Sequence, residues 1–104
     1  MITTSGGAFV TEAGSQIKYN GSSIVCTPTY YELQSIFSVV LWIMDSATTN
    51  IVAYPSITLT KTEVDGETGA GTGETAHWFD ALQDAVKTKL SAITENSGVT
   101  FTIV

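Results

Sequence analysis

Only one stretch of this chain repeats its apolar residues at helical spacing. Phe79, Leu82, Val86, Leu90 and Ile93 recur at intervals of three and four, while Asp80, Gln83, Asp84, Lys87 and Thr88 fall largely between them. That period predicts an amphipathic helix over about 76–93. Acidic Glu74, Asp80 and Asp84 come early and Lys87 and Lys89 late, an order that suits the helix dipole. A single apolar stripe must be buried against something else the chain supplies, and the remaining segments read as strands. The expected class is therefore α+β: a mainly antiparallel β-sheet or sandwich with this helix packed on it.

The strand signals differ in strength. Residues 8–12 form a short candidate, and 16–19 and 22–26 flank Asn20-Gly21, a dipeptide suited to a type I′ turn, which predicts a hairpin with Ile17 opposite Ile24. Thr27-Pro28 breaks the run, and residues 29–34 are compatible with a short helix begun by the proline. Residues 36–45 are β-branched and aromatic enough for a strand buried on both faces, with a helix as the lesser alternative. After a turn at 46–50, residues 51–54 return, Pro55 marks a bulge or an edge, and 57–64 begin an alternation of a half-exposed strand. Asn96-Ser97-Gly98 ends the helix, and 99–104 form a last strand that either lies inside the sheet or adds to a neighbour's edge.

With 104 residues the chain fits one domain over 8–104 and needs no metal or disulfide to fold. Residues 1–7, small and polar, are expected to be a flexible arm, disordered alone, whose deletion leaves the fold intact and weakens assembly. Residues 65–75 carry Gly66, Gly69, Gly71 and Gly73 without a large apolar side chain, which predicts a mobile loop. The lone Cys26 is expected to be a buried, inert thiol. The longest apolar stretch, 36–44, is about half the roughly 20 residues of a membrane-spanning helix, and the first residues lack a basic and apolar leader, so neither membrane insertion nor a secretory signal is expected. A virion, or otherwise the cytoplasm, is the expected location.

The net charge is −6, the lysines (Lys18, Lys61, Lys87, Lys89) are scattered, and there is no arginine. Phosphate neutralisation by Lys and Arg supplies much of the affinity for nucleic acid, so direct nucleic-acid binding is not expected. Charged residues are only 13% of the chain, which leaves a large uncharged polar surface suited to packing against other protein.

No motif carries a catalytic, cofactor or metal assignment. The glycines at 66–73 are followed by Glu74-Thr75, not the Lys-Ser/Thr pair of a phosphate-binding loop, and Glu67 and Glu74 would repel phosphate. His77 is the only histidine. Glu74 and His77 have the spacing of two ligands on one helical face, but such centres take further ligands from other helices. Glu63, Asp65 and Glu67 lack the ligand spacing of a calcium loop, and Asn20-Gly21-Ser22 is read as a turn and not a glycan site. Tyr30 and Tyr31, after a proline, and Trp78, beside the helix stripe, are the candidate subunit contacts, joined by Val99, Phe101 and Ile103 of the last strand.

Taken over the whole chain, the Gly-Thr-Ser arm, the glycine segment, the scarcity of charge and the β-branched last strand resemble small bacteriophage virion proteins: tail-tube, head-tail joining or capsid-decoration subunits. The resemblance implies a non-enzymatic, homo-oligomeric structural subunit whose partners are copies of itself and other structural proteins. The alternatives are a monomeric protein-binding adaptor using residues 65–75, and a small metal protein or enzyme centred on His77.

Overall fold

The structure, a computed structural model, describes residues 1–45, 50–67 and 78–104. Its strands are β1 (Ile2–Ser5), β2 (Ser23–Tyr31), β3 (Ile36–Asp45), β4 (Asn50–Ala53), β5 (Ser56–Thr60) and β6 (Thr100–Ile103). The helices are α1 (Lys61–Asp65) and α2 (Trp78–Ser91), followed by a 3₁₀ turn at Thr94–Asn96. All strand pairs are antiparallel, in the order β4-β3-β2-β1-β6, with β5 also pairing β3. The α+β class holds, as a sheet and not a sandwich. No described helix is long and apolar enough to cross a membrane.

The helical stripe is buried as its spacing requires. Leu82, Val86, Leu90 and Ile93 join Ile24, Val39, Leu41, Ile43, Leu59 and Phe101 in one core, while Phe79 packs half-buried against it. Residues 36–45 form the longest strand. Only one of its faces is sealed, by the inward Val39, Leu41 and Ile43. β4 and β5 act as one interrupted strand beside β3. The break falls at Pro55, whose carbonyl accepts from the Leu41 amide at 2.8 Å, and the register shifts between Ile43 and Met44.

The N-terminal arm is corrected to a strand. β1 lies between β2 and β6, and Ile2, 0% exposed, pairs with Ile24 on one side and Ile103 on the other. A single apolar residue among small polar ones carries little hydrophobic signal, but β-branched Ile and Thr suit a strand slotted between two others.

The hairpin at Asn20-Gly21 is also corrected. Positive φ among the described glycines occurs at Gly6, Gly7 and Gly14, not at Gly21. Gly21 is required for close approach: a Cβ there would collide with the Ile43 side chain and the Met44 carbonyl. Tyr19 pairs instead with Phe9, through bonds of 3.0 and 2.7 Å, so the candidate strands at 8–12 and 16–19 reduce to one bridge, and Ile17 is exposed. β2 runs through Pro28 to Tyr31, which excludes a helix over 29–34, and Ser35 (φ 53°) closes the turn to β3.

The strand expected at 57–64 stops at Thr60. The Thr60 hydroxyl accepts from the Glu63 amide at 3.1 Å, and the Glu63 carboxylate accepts from the Thr60 amide at 2.8 Å, a reciprocal cap that turns the chain into α1. Gly66 is the C-cap of α1, with φ −75° and its amide bonded to the Thr62 carbonyl at 3.0 Å. Gly69, Gly71, Gly73, Glu74 and His77 lie outside the described residues, as does most of the turn expected at 46–50.

Candidate functional interface

A strand turns successive side chains to opposite faces, so the registers fix which residues share a face. The inner face carries Ile2, Ile24, Cys26, Val39, Leu41, Ile57 and Leu59 under α2. On the outer face Val25 stands opposite Trp42, Thr27 opposite Val40, and Ser23 and Ile51 flank Met44. The Trp42 indole donates to the Thr27 hydroxyl at 2.9 Å, and its ring lies 5.7 Å from that of Tyr54, at 32°. Val25, Val40, Trp42, Met44, Ile51 and Tyr54 thus form an apolar stripe, with Tyr54 69% exposed. Around it lie Thr3, Thr29, Ser38, Thr58, Thr100 and Thr102. None of these outward strand positions carries a charge. The described helices lie on the inner side, so no described layer covers this face.

The candidate contact residues separate. Tyr30 and Trp78 converge on Phe37, with ring centroids 4.7 Å and 6.4 Å from it, the latter stacked at 15°. With Lys61, Val64 and Asp65 they line a notch of about 300 Å³. The Asp65 carboxylate accepts a hydrogen bond from Lys61 and holds its ammonium above the usual range. Tyr31 faces outward on the opposite side, opposite Ile36, near Leu33 at the hairpin tip, which is 97% exposed. The Val99, Phe101 and Ile103 side chains turn inward. Phe101 meets Phe9 edge-on at 5.5 Å, and Val99 and Ile103 rest half-buried on the core. They belong to the hydrophobic core because odd positions of β6 share the face of Ile2, leaving only backbone to offer a neighbour.

Among the described residues no cluster of three or more His, Cys, Asp or Glu side chains is placed to hold a metal ion. Cys26 is buried in the core, and burial pushes its thiol up to about 11. Since the thiolate is the nucleophile, alkylation of native protein at pH 8 is expected to run at least about 100-fold slower than in denaturant. Equal rates in a thiol-reagent assay would show that Cys26 is not shielded.

The outer stripe was not singled out in the sequence. Its signal is the scarcity of charge: between Lys18 and Lys61 only Glu32 and Asp45 are charged, and they lie at the two ends of the β3 hairpin arm. No protein-family model, curated protein or solved structure matches this chain.

Proposed function

We propose that this chain is a non-enzymatic structural subunit that assembles with copies of itself through the uncharged outer face of its sheet. The observation that carries it is the Val25, Val40, Trp42, Met44, Ile51 and Tyr54 stripe, with the uncharged Thr3, Ser23, Thr29, Ser38 and Thr58 around it. Copies with a net charge of −6 repel one another, and a contact face free of acidic side chains lets them approach without burying like charges. A contiguous apolar patch of this kind marks a protein contact more often than a solvated surface. The stripe also lacks the Lys and Arg that phosphate or an acidic surface would demand. The Tyr30, Phe37 and Trp78 notch supplies a second contact, for other structural proteins of the same assembly. The whole-chain resemblance to small bacteriophage virion subunits supports a virion as the setting.

Light scattering on a size-exclusion column across protein concentrations tests this. The chain is expected to exceed its monomer mass of 11.0 kDa and to grow with concentration. Val25→Asp puts a charge into the stripe at an already partly exposed site, and is expected to weaken assembly at least about tenfold while leaving the melting temperature within a few degrees. A wild-type chain that stays at monomer mass at every concentration overturns the proposal.

A further inference from the structure

We infer that β6 pairs antiparallel with the β6 of a second copy, across a two-fold axis at Thr102, joining two sheets into one. This pairing rests on the self-assembly reading above and adds the edge through which copies meet.

The first observation is the phase of the ladder. The Val104 amide donates to the Met1 carbonyl at 2.9 Å and the Met1 amine to the Val104 carbonyl at 3.3 Å, so residues 1 and 104 exchange both bonds. In an antiparallel pair such exchanges alternate, which turns the backbone groups of Thr102 and Thr100 toward β1 and those of Phe101 and Ile103 away from it. Those outward groups meet no backbone partner among the described residues.

The second observation is that the other open edges are guarded and this one is not. Along β4 and β5 the register shifts, Pro55 interrupts the run, and Lys89 reaches over the edge to donate to the Thr58 carbonyl at 2.7 Å. β2 is also open beyond the end of β1. The Thr4 amide bonds to the Ser22 carbonyl at 3.0 Å, which places the even residues of β2 in the phase facing that side. Pro28 is in that phase and has no N–H to offer. β6 carries no proline and no charged residue, and its register with β1 is unbroken. Proteins blunt the strand edges they keep in solvent, so the one edge that no described residue blunts is the one left for pairing.

Self-complementarity selects a second copy as the occupant. With Thr102 opposite Thr102 across the axis, Phe101 stands opposite the second copy's Ile103 and the reverse, and all four outward N–H and C=O groups of each copy are bonded. A two-fold contact uses the same edge on both copies and closes on itself. It keeps both outer faces on one side of the joined sheet. No charge in β6 selects a different strand.

In this register the two Thr102 Cα atoms form a non-hydrogen-bonded pair about 4.5 Å apart, within disulfide range. The two Thr100 positions are offset by four residues, about 14 Å. Both side chains are exposed, so Thr102→Cys and Thr100→Cys leave the core untouched. Each variant is oxidised at a concentration where the wild type self-associates, then run under non-reducing denaturing conditions beside the wild type, whose only thiol is the buried Cys26. Thr102→Cys is expected to convert mostly to covalent dimer, at least about tenfold above Thr100→Cys and wild type. If the wild type assembles but Thr102→Cys cross-links no better than Thr100→Cys, β6 pairing is refuted and face-to-face assembly stands. A wild type that is strictly monomeric removes both.

Discussion

A chain lacking residues 1–7 is expected not to fold. Among the described strands β1 is the only partner of β6, and it seals β2 near Ile24, so its loss strips two neighbours of backbone bonds at once. It also removes Ile2, which is fully buried, and exposes the core beneath. Losing one large aliphatic core side chain costs about 2–5 kcal/mol by itself. Total stability of a domain this size is about 5–15 kcal/mol, so the deletion, which adds the lost ladder to that cavity, exceeds what the remainder can sustain. Far- and near-ultraviolet circular dichroism with thermal melts will show the result. The truncated chain is expected to lack a cooperative transition, and Ile2→Ala to melt cooperatively but about 10 °C or more below wild type. A truncated chain that melts within a few degrees of the full one would make β1 an ornament of the sheet, and would restore the picture of a dispensable arm.

Gly6 ends β1 for the same architectural reason. It sits at φ +102°, in the left-handed region, and a Cβ there would run into the Gly98 carbonyl. The residues just past β1 and those just before β6 therefore touch backbone to backbone, which fits β1 and β6 leaving the sheet side by side.

Asn96→Ala is expected to cost about 3–5 kcal/mol, more than any exposed substitution in the chain. The Asn96 side chain is 1% exposed and bonds three backbone groups. Its Oδ1 accepts from the Val10 amide at 2.8 Å, and its Nδ2 donates to the carbonyls of Val10 and Leu90, each at 2.9 Å. Leu90 retains a second donor, the Ile93 amide at 3.3 Å, so truncation leaves the two Val10 groups unpartnered and a void beside them. A buried group without its hydrogen bond costs about 1–3 kcal/mol. Asn96 thus joins the end of the helical region to the excursion between β1 and β2, 86 positions away. Urea unfolding gives the comparison: Asn96→Asp is expected to be as damaging, because it turns an acceptor toward two carbonyls, while the exposed Ser97→Ala stays within about 0.5 kcal/mol. Equal midpoints for Asn96→Ala and Ser97→Ala would show that the three bonds contribute nothing net.

Local periodicity made the helix and the longest strand legible, since both signals are set by neighbouring residues. Phe79 to Ile93 repeat every three or four positions over four turns, and the described part of α2, Trp78–Ser91, lies inside the expected span and stops within two residues of its end. The β3 run was dense enough in β-branched residues to place its start at Ile36. The cap at Thr60 and Glu63 was equally local and was present in the sequence as a Thr-x-x-Glu spacing, but the alternation of Ile57 and Leu59 masked it. Among the contact residues, Tyr30 and Tyr31 stood out by following a proline and Trp78 by standing beside the helix stripe, and all three are exposed. Which of them would share a notch depended on α2 returning beside β3, a long-range event.

What the sequence determined by itself was the class: one amphipathic stripe that needs a sheet to cover it. Only tertiary structure decided the rest. A four-residue segment such as 2–5 becomes a central strand because two distant strands leave a slot between them, and nothing in its own composition announces that slot. Asn20-Gly21 favours a hairpin locally, yet Gly21 serves the approach of Met44, where the space between β2 and β3 excludes a side chain. The outer stripe likewise exists only once Val25, Trp42 and Tyr54 are brought side by side by strand registers. Pairing between strands is governed by hydrogen-bond partners and excluded volume at long sequence separation, and those forces have no local period to read.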